Sequence, residues 1–345
     1  MYFALTDEQR ALQSTVREFL SDRFGLDAVR RGYDDPDDDA HPVELWKAVG
    51  EQGWLAVTVP EEHDGLGLGV LDAAVLARCW GEGTVPGPLL PTLLGAEAIR
   101  LGGSPDLQAA WLPRVAGGEV ALAVATAPGL AGSGDSLTGV VDGVEMAHVA
   151  DAIAVAAEGT MWLVESGDLA VEVAEPLDRT TRLCRVTADA APAVRLAVDP
   201  RDVAARGAVL AANDLAGIAA TALARTVDYV KTREQFGRPV GSFQALKHAL
   251  ADLQVASTMA GHAGWYAAHA LDADLPDAAL AVSVAKAKCS DTARDVTAAM
   301  IQFHGGIGYT WEHDAHFYFK RAKRLEYSYG DAAEHRERIA RLVVG

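Results

Sequence analysis

Three stretches in the C-terminal half carry residues able to do chemistry. The first, "TREQFGRPVGSFQALKHALAD" (232–252), sets Arg233, Phe236 and a Gly-x-Pro turn ahead of Phe243, Gln244, Lys247 and His248. A guanidinium fork matches phosphate oxygens in two-point geometry, and an aromatic ring three residues on can flank the same ligand. The second, "QFHGGIGYTW" (302–311), places Gln302 before Gly305, Gly306 and Gly308. Glycine inside a helix costs about 1 kcal/mol against alanine, so this clustering serves a bend or a close approach of the backbone to something. An amide beside bare backbone N–H groups suits a diphosphate or an adenosine group. Taken singly, each stretch is equally a helix that ends in a turn. The third, "YSYGDAAEH" (327–335), sets Asp331 ahead of "AAEHRERIARLVV", where it favourably faces the dipole of the helix that follows.

The elements that must position these residues follow from periodicity. Thr6 and Gln9 have capping-box spacing, and Leu12, Val16, Phe19 and Leu20 recur at helical intervals, so a helix starts near Asp7. Acidic "DDPDDDAHP" (34–42) interrupts it, and helices are predicted over 43–52, 71–80, 89–100 and 106–116. Near Val120 the texture changes to short apolar, β-branched runs separated by Gly, Asp and Pro, which reads as a compact antiparallel sheet. Helical periodicity returns from Val203, stops at Gly237 and Pro239, and continues through an Ala-rich helix predicted over 271–300 and a last one over 332–344. The division is residues 1–118 helical, 119–200 stranded and 201–345 a helical bundle. The fold class is therefore mainly α with a small central β domain.

Composition narrows the partners. The chain has 345 residues, 50% of them hydrophobic, and a formal net charge of -18, which argues against nucleic acid or an anionic membrane as the main partner. Its one dense basic run, "KRAKR" (320–324), reads as a solvated helix face. Cys79, Cys184 and Cys289 are far apart and form no CxxC pair, so no metal site is expected, and His248, His304 and His313 read as packing or interface residues. No basic leader precedes an apolar block, so the expected location is the cytoplasm, without a membrane.

The order of these stretches, with "LTDEQRALQSTVREF", "GWLAVTVPEEHDGLGLG" and "VPGPLLPTLL" ahead of them, resembles the acyl-CoA dehydrogenase family over essentially the whole chain. The resemblance implies an N-terminal helical domain, a β-barrel-like middle domain and a C-terminal four-helix bundle, with FAD held between the domains and a neighbouring subunit. It implies removal of two hydrogens from the α and β carbons of an acyl-CoA thioester, with electrons passed to an external acceptor. It also assigns Arg233, Phe236, Gln302, Gly305 and Gly306 to the ADP half of the neighbouring subunit's FAD.

Three departures from the family pattern accompany the matches. "TAPGLAGSGD" (126–135) has Ala127 where glutamate is usual, and the strand that usually bears a tryptophan and a threonine reads as shortened to "VDGVEMAHVAD" (141–151). Gly330 stands at the position of the glutamate base, and Gly207 or Ala208 at the alternative base position, while Asp331 lies one residue along and could serve if the local register slips. The implied protein is the partner subunit of a heteromeric α2β2 enzyme, working beside a better-equipped paralogue. The alternatives are a homomeric enzyme with Asp331 as base, or a binding or assembly protein without redox chemistry.

Overall fold

The computed structural model describes residues 4–175 and 177–345. Six helices come first: α1 (Asp7–Arg23), α2 (Leu26–Asp34), α3 (Val43–Glu51), α4 (Val70–Gly83), α5 (Leu89–Gly102) and α6 (Pro105–Ala116). Eight strands follow: β1 (Leu122–Ala125), β2 (Leu130–Ser133), β3 (Ser136–Glu145), β4 (Ala152–Ala157), β5 (Thr160–Glu165), β6 (Leu169–Val173), β7 (Leu183–Pro192) and β8 (Val194–Leu196). Then come α7 (Pro200–Thr232), the short strands β9 (Glu234–Gln235) and β10 (Arg238–Pro239), α8 (Gln244–Asp272), α9 (Ala278–His304), α10 (Ala315–Tyr327) and α11 (Ala332–Val344). By contacts the chain forms two compact units, one of Met1–Arg30, Ala74–Val85 and Ala208–Gly345, the other of Arg31–Ala73 and Pro86–Gly207.

In the second unit, two four-stranded sheets, ordered β1-β4-β5-β8 and β2-β3-β7-β6, share one core. Ile153, Val155 and Trp162 from the first sheet meet Leu137, Val141 and Val186 from the second, because alternate side chains of each strand face inward. The antiparallel expectation fails at one pair: β1 runs parallel to β4. Of the segment that reads as shortened, residues 141–145 form the end of a ten-residue strand, β3, whose register shifts between Val141 and Val144, and 146–151 lie beyond it. Gly143, at φ 75°, sits in that shift, and its turn-like composition hides the strand. Strand β7 is hidden for another reason, since three alanines and Asp189 are weak strand formers.

The first unit is helical. The capping box holds as read: Thr6 accepts from the Gln9 N–H, and the Gln9 side chain accepts from the Thr6 N–H. The helix expected over 271–300 starts later, at Ala278, because α8 runs on to Asp272, Asp274 then takes a left-handed φ of 47° and Pro276 lacks a donor. α8, α10 and α11 all pack against α9. α7 is long and apolar enough to cross a membrane, but 83% of its most apolar window is buried inside the protein, as a core helix would be. It crosses α4 at two glycines: a Cβ on Gly81 would lie 2.1 Å from the Asp214 carbonyl, and one on Gly217 would lie 2.1 Å from the Arg78 carbonyl.

Beside that crossing lies a buried ion pair. Arg321 of α10 donates to both carboxylate oxygens of Asp214, at 3.1 and 2.5 Å, and to the Val85 carbonyl at 2.7 Å. The "KRAKR" run is therefore not wholly a solvated face, since the Arg321 side chain is 3% exposed and Asp214 0%. Removing one partner of a buried pair leaves an uncompensated charge, whereas replacing both with apolar groups does not. Arg321→Met should destabilise the chain by about 3–5 kcal/mol in urea unfolding, and adding Asp214→Leu should recover most of that loss.

Candidate functional site

Helix α7 ends with the Arg233 N–H bonded to the Tyr229 carbonyl at 2.9 Å, and the Val240 N–H returns to the Arg233 carbonyl at 2.7 Å. Between them β9 and β10 form a minimal hairpin whose two turn residues, Phe236 and Gly237, have φ of 56° and 75°. Paired positive φ values belong to the tight turns that join adjacent antiparallel strands. A phenylalanine there is strained, and its ring is 90% exposed, so burial does not explain it. The Phe236 ring meets Phe243 edge-on at 6.1 Å, and the Arg238 guanidinium lies 4.1 Å over Phe243.

The second stretch begins at the end of α9. Gly305, at φ 65° and ψ -142°, closes the helix in a conformation that side chains rarely adopt, with its N–H on the Gln302 carbonyl. The glycines then divide by role. A Cβ on Gly308 would fall 2.6 Å from the Ile301 carbonyl, so that glycine serves packing. A Cβ on Gly305 or Gly306 would meet nothing within 4 Å, so the bare backbone at those two faces open space.

One contact brings the two stretches together. The Tyr229 ring stacks on His304 at 4.2 Å, and its hydroxyl donates to the His304 carbonyl at 3.3 Å. Arg233 thus leaves α7 one turn beyond Tyr229, while Gln302 and Gly305 flank His304. His313 lies 4.3 Å from His304. Burial pushes both imidazoles below their usual range and so disfavours a charge on either. Asp314 anchors the following turn by pairing with Arg30 and, at 3.0 Å, with Arg225. His248 remains on the exposed side of α8.

Arg233, Phe236, Gln302, Gly305 and Gly306 are all exposed. A cationic fork, an aromatic face, an amide and unobstructed backbone are the groups an adenosine diphosphate uses, so the residues fit the nucleotide end of FAD. The third stretch is different in kind. Gly330 has φ 99°, and a Cβ there would lie 3.0 Å from Glu334 Oε2 and 3.1 Å from His335 Nε2. The Asp331 carboxylate accepts from the Glu334 N–H at 2.8 Å, while Glu334 Oε2 accepts from the Asp331 N–H at 3.1 Å, a complete capping box for α11.

The carbonyls of this turn point inward. Buried Lys286 donates to the carbonyls of Glu326 and Gly330, both at 2.9 Å, and to Ser290 Oγ at 3.1 Å. Burial pushes its pKa down to about 8. His335 Nε2 lies 3.1 Å from the Tyr329 carbonyl, which fixes the proton on that nitrogen. Lys286 lies in the Ala-rich helix and carried no motif; a lysine among alanines on a buried face was its only signal.

The sequence comparisons agree with this architecture. Residues 6–119 match the acyl-CoA dehydrogenase N-terminal domain and residues 204–344 the acyl-CoA dehydrogenase C-terminal domain. The chain belongs to the acyl-CoA dehydrogenase family. It is similar to acyl-CoA dehydrogenase IpdE2 of Mycobacterium tuberculosis, with 37% identity over 92% of this chain and 91% of that one. Among solved structures, a chain of the ChsE4-ChsE5 complex from Mycobacterium tuberculosis superposes with TM-score 0.92 at 26% identity, covering 100% of this chain and 99% of the other. A chain of the Tcur3481-Tcur3483 steroid ACAD, in a variant form, gives TM-score 0.91 at 29% identity, covering 98% of each.

Two predictions follow from the 326–335 turn. Asp331→Ala should lower unfolding stability by about 1 kcal/mol and Asp331→Asn should leave it nearly unchanged, since asparagine caps as well as aspartate. Gly330→Ala should lose about 1–3 kcal/mol, because the left-handed conformation is retained at a residue that resists it. The second concerns pH. Burial pushes His335 down to about 4, so between about pH 6.5 and 4 the unfolded chain binds the proton and the folded chain does not. Stability should fall as pH drops through that window, and His335→Gln should flatten the fall when urea midpoints are compared at pH 7, 5.5 and 4.5.

Proposed function

We propose that this chain is the partner subunit of a heteromeric, FAD-dependent acyl-CoA dehydrogenase. It pairs with a paralogous subunit and contributes the ADP-side contacts to a cofactor whose reactive ring and base belong to the paralogue. The observation that supports this reading is the Tyr229–His304 contact, which joins the end of α7, just before Arg233 and Phe236, to the end of α9, beside Gln302, Gly305 and Gly306, all five of them exposed. Against that stands a left-handed glycine at position 330 and an Asp331 committed to a helix cap.

The reaction defines what each side supplies. An acyl-CoA thioester loses its α proton to a carboxylate base, and the β hydrogen leaves as hydride. When bound, FAD accepts that hydride, and an external acceptor takes the electrons onward. In this chain Arg233 pairs with diphosphate oxygens, Phe236 flanks the nucleotide, and Gln302 donates its amide. Gly305 and Gly306 let the backbone approach without a Cβ in the way.

Asp331 is a poor base in its present bonding. Its carboxylate is engaged by the Glu334 N–H at 2.8 Å as the cap of α11, so acting as a base would cost the helix that cap. The homomeric reading with Asp331 as base is therefore the weaker one. Similarity to chains of a steroid ACAD and of the ChsE4-ChsE5 complex supports both a two-chain assembly and a bulky acyl-CoA, with steroid side chains as the favoured class.

The test is spectroscopic. Purified alone, the chain should carry little flavin. Co-expressed with an acyl-CoA dehydrogenase paralogue from the same genome, it should copurify with flavin absorbance, at one FAD per unlike pair. Arg233→Ala should lower the flavin content of that complex, and Asp331→Asn should leave its acyl-CoA desaturation unchanged. A chain that is stoichiometrically yellow and desaturates a thioester unaided would overturn the assignment.

A further inference from the structure

The helical unit holds a cavity of about 260 Å³ between α4, α7 and α8, lined among others by Arg78, Leu223, Gln254, Ser257, His262 and Trp265. None of its lining residues is acidic. The charges around Arg78 do not balance. Glu82 is the nearest carboxylate, 3.7 Å from Arg78 Nε, but both its oxygens are taken by Arg17 at 2.6 Å. Two guanidinium groups thus share one carboxylate. Nη1 of Arg78 is buried and has no hydrogen-bond partner among the described residues.

A buried cation without a full counter-charge is costly, and burial is the largest influence on Arg78, pushing its pKa down. The group is held in place all the same. Its guanidinium lies 5.1 Å over the Trp265 ring, and a Cβ on Gly261 would come within 2.7 Å of Nη1. The rest of the lining includes Ala220 and Leu223, which are apolar, and Ser257 and Thr258, which bear neutral hydroxyls.

We infer that this cavity binds a carboxylate carried on a short apolar body, the carboxylate pairing with Arg78 and the body lying against Leu223 and Trp265. One missing negative charge calls for a monoanion, which favours a carboxylate over a phosphate dianion. The chemistry is the same whether the carboxylate is a free acid or the acidic side chain of a neighbouring subunit.

Hexanoate is the probe, with hexanol and inorganic phosphate as controls, added to the full-length chain purified alone. Hexanoate should give a saturable rise in Tm and a change in tryptophan fluorescence that hexanol and phosphate do not. Arg78→Met should weaken its binding roughly 10- to 100-fold, the usual worth of a charged hydrogen bond. Gly261→Ala, whose methyl displaces the guanidinium, should weaken it too and carries the comparison if Arg78→Met does not fold. In the complex with the paralogue, a retained hexanoate response assigns the site to a free acid. A response lost on assembly, together with weaker assembly of Arg78→Met, assigns it to a subunit side chain. Absence of a hexanoate-specific response from the isolated chain, or a response undiminished in a folded Arg78→Met, overturns the inference.

Discussion

The helical unit depends on the buried bidentate pair between Arg321 and Asp214. A charge pair out of water contributes little net stability by itself, but it admits few geometries. Arg321 must reach both carboxylate oxygens and the Val85 carbonyl together, so α10, α7 and the end of α4 are set against one another. The glycines at the α4–α7 crossing make that possible, because a methyl at either Gly81 or Gly217 would strike backbone and push the helices apart. Apolar packing alone would tolerate a slide along the helix axis, and this pair does not.

Fixing α10 also fixes what precedes it. The turn from Gly305 to Asp314 is closed at one end by α9 and at the other by Arg30 and Arg225 on Asp314. The end of α7 is joined to the same region by a stack of Tyr229 on His304. Neutrality matters here. A protonated His304 so close to His313, with Arg225 nearby, would be repelled, and desolvation disfavours that charge. The exposed residues beyond the stack are therefore carried by bonded backbone on both sides, with Phe236 also set edge-on to Phe243.

Much of this was legible in the amino-acid order. Thr6 with Gln9 announced α1, and the spacing around Leu89, Asp106 and Ala332 announced three further helices within two or three residues of their ends. What stayed hidden was set by distant contacts. The parallel pairing of β1 with β4 depends on neighbours far along the chain and has no local pattern. Arg321 looked like one of several surface cations because nothing in "KRAKR" separates the inward position from the outward ones; its partner lies at Asp214, on another helix. Lys286 carried only a faint signal for a related reason, since its value to the fold lies in three acceptors gathered from α9, the end of α10 and the turn after it. The motif glycines were read as a set, yet only geometry divides Gly308, which packs, from Gly305 and Gly306, which face open space.

That division bears on why one chain keeps some features of its family and departs from others. At Gly305 and Gly306 the absence of a side chain leaves open space beside the backbone, although the Gly305 N–H itself closes α9 on the Gln302 carbonyl. At Gly330 the absence of a side chain is consumed internally: Glu334 and His335 fill the space, and the carbonyls of Glu326, Tyr329 and Gly330 are bound by Lys286 and His335. A glutamate at 330 would therefore require more than one substitution, because it would have to reverse a left-handed backbone and displace two packed side chains. The turn has become part of the hydrogen-bonded interior. On the proposed reading, in which the base belongs to the paralogue, this chain uses the turn at Gly330 for stability instead.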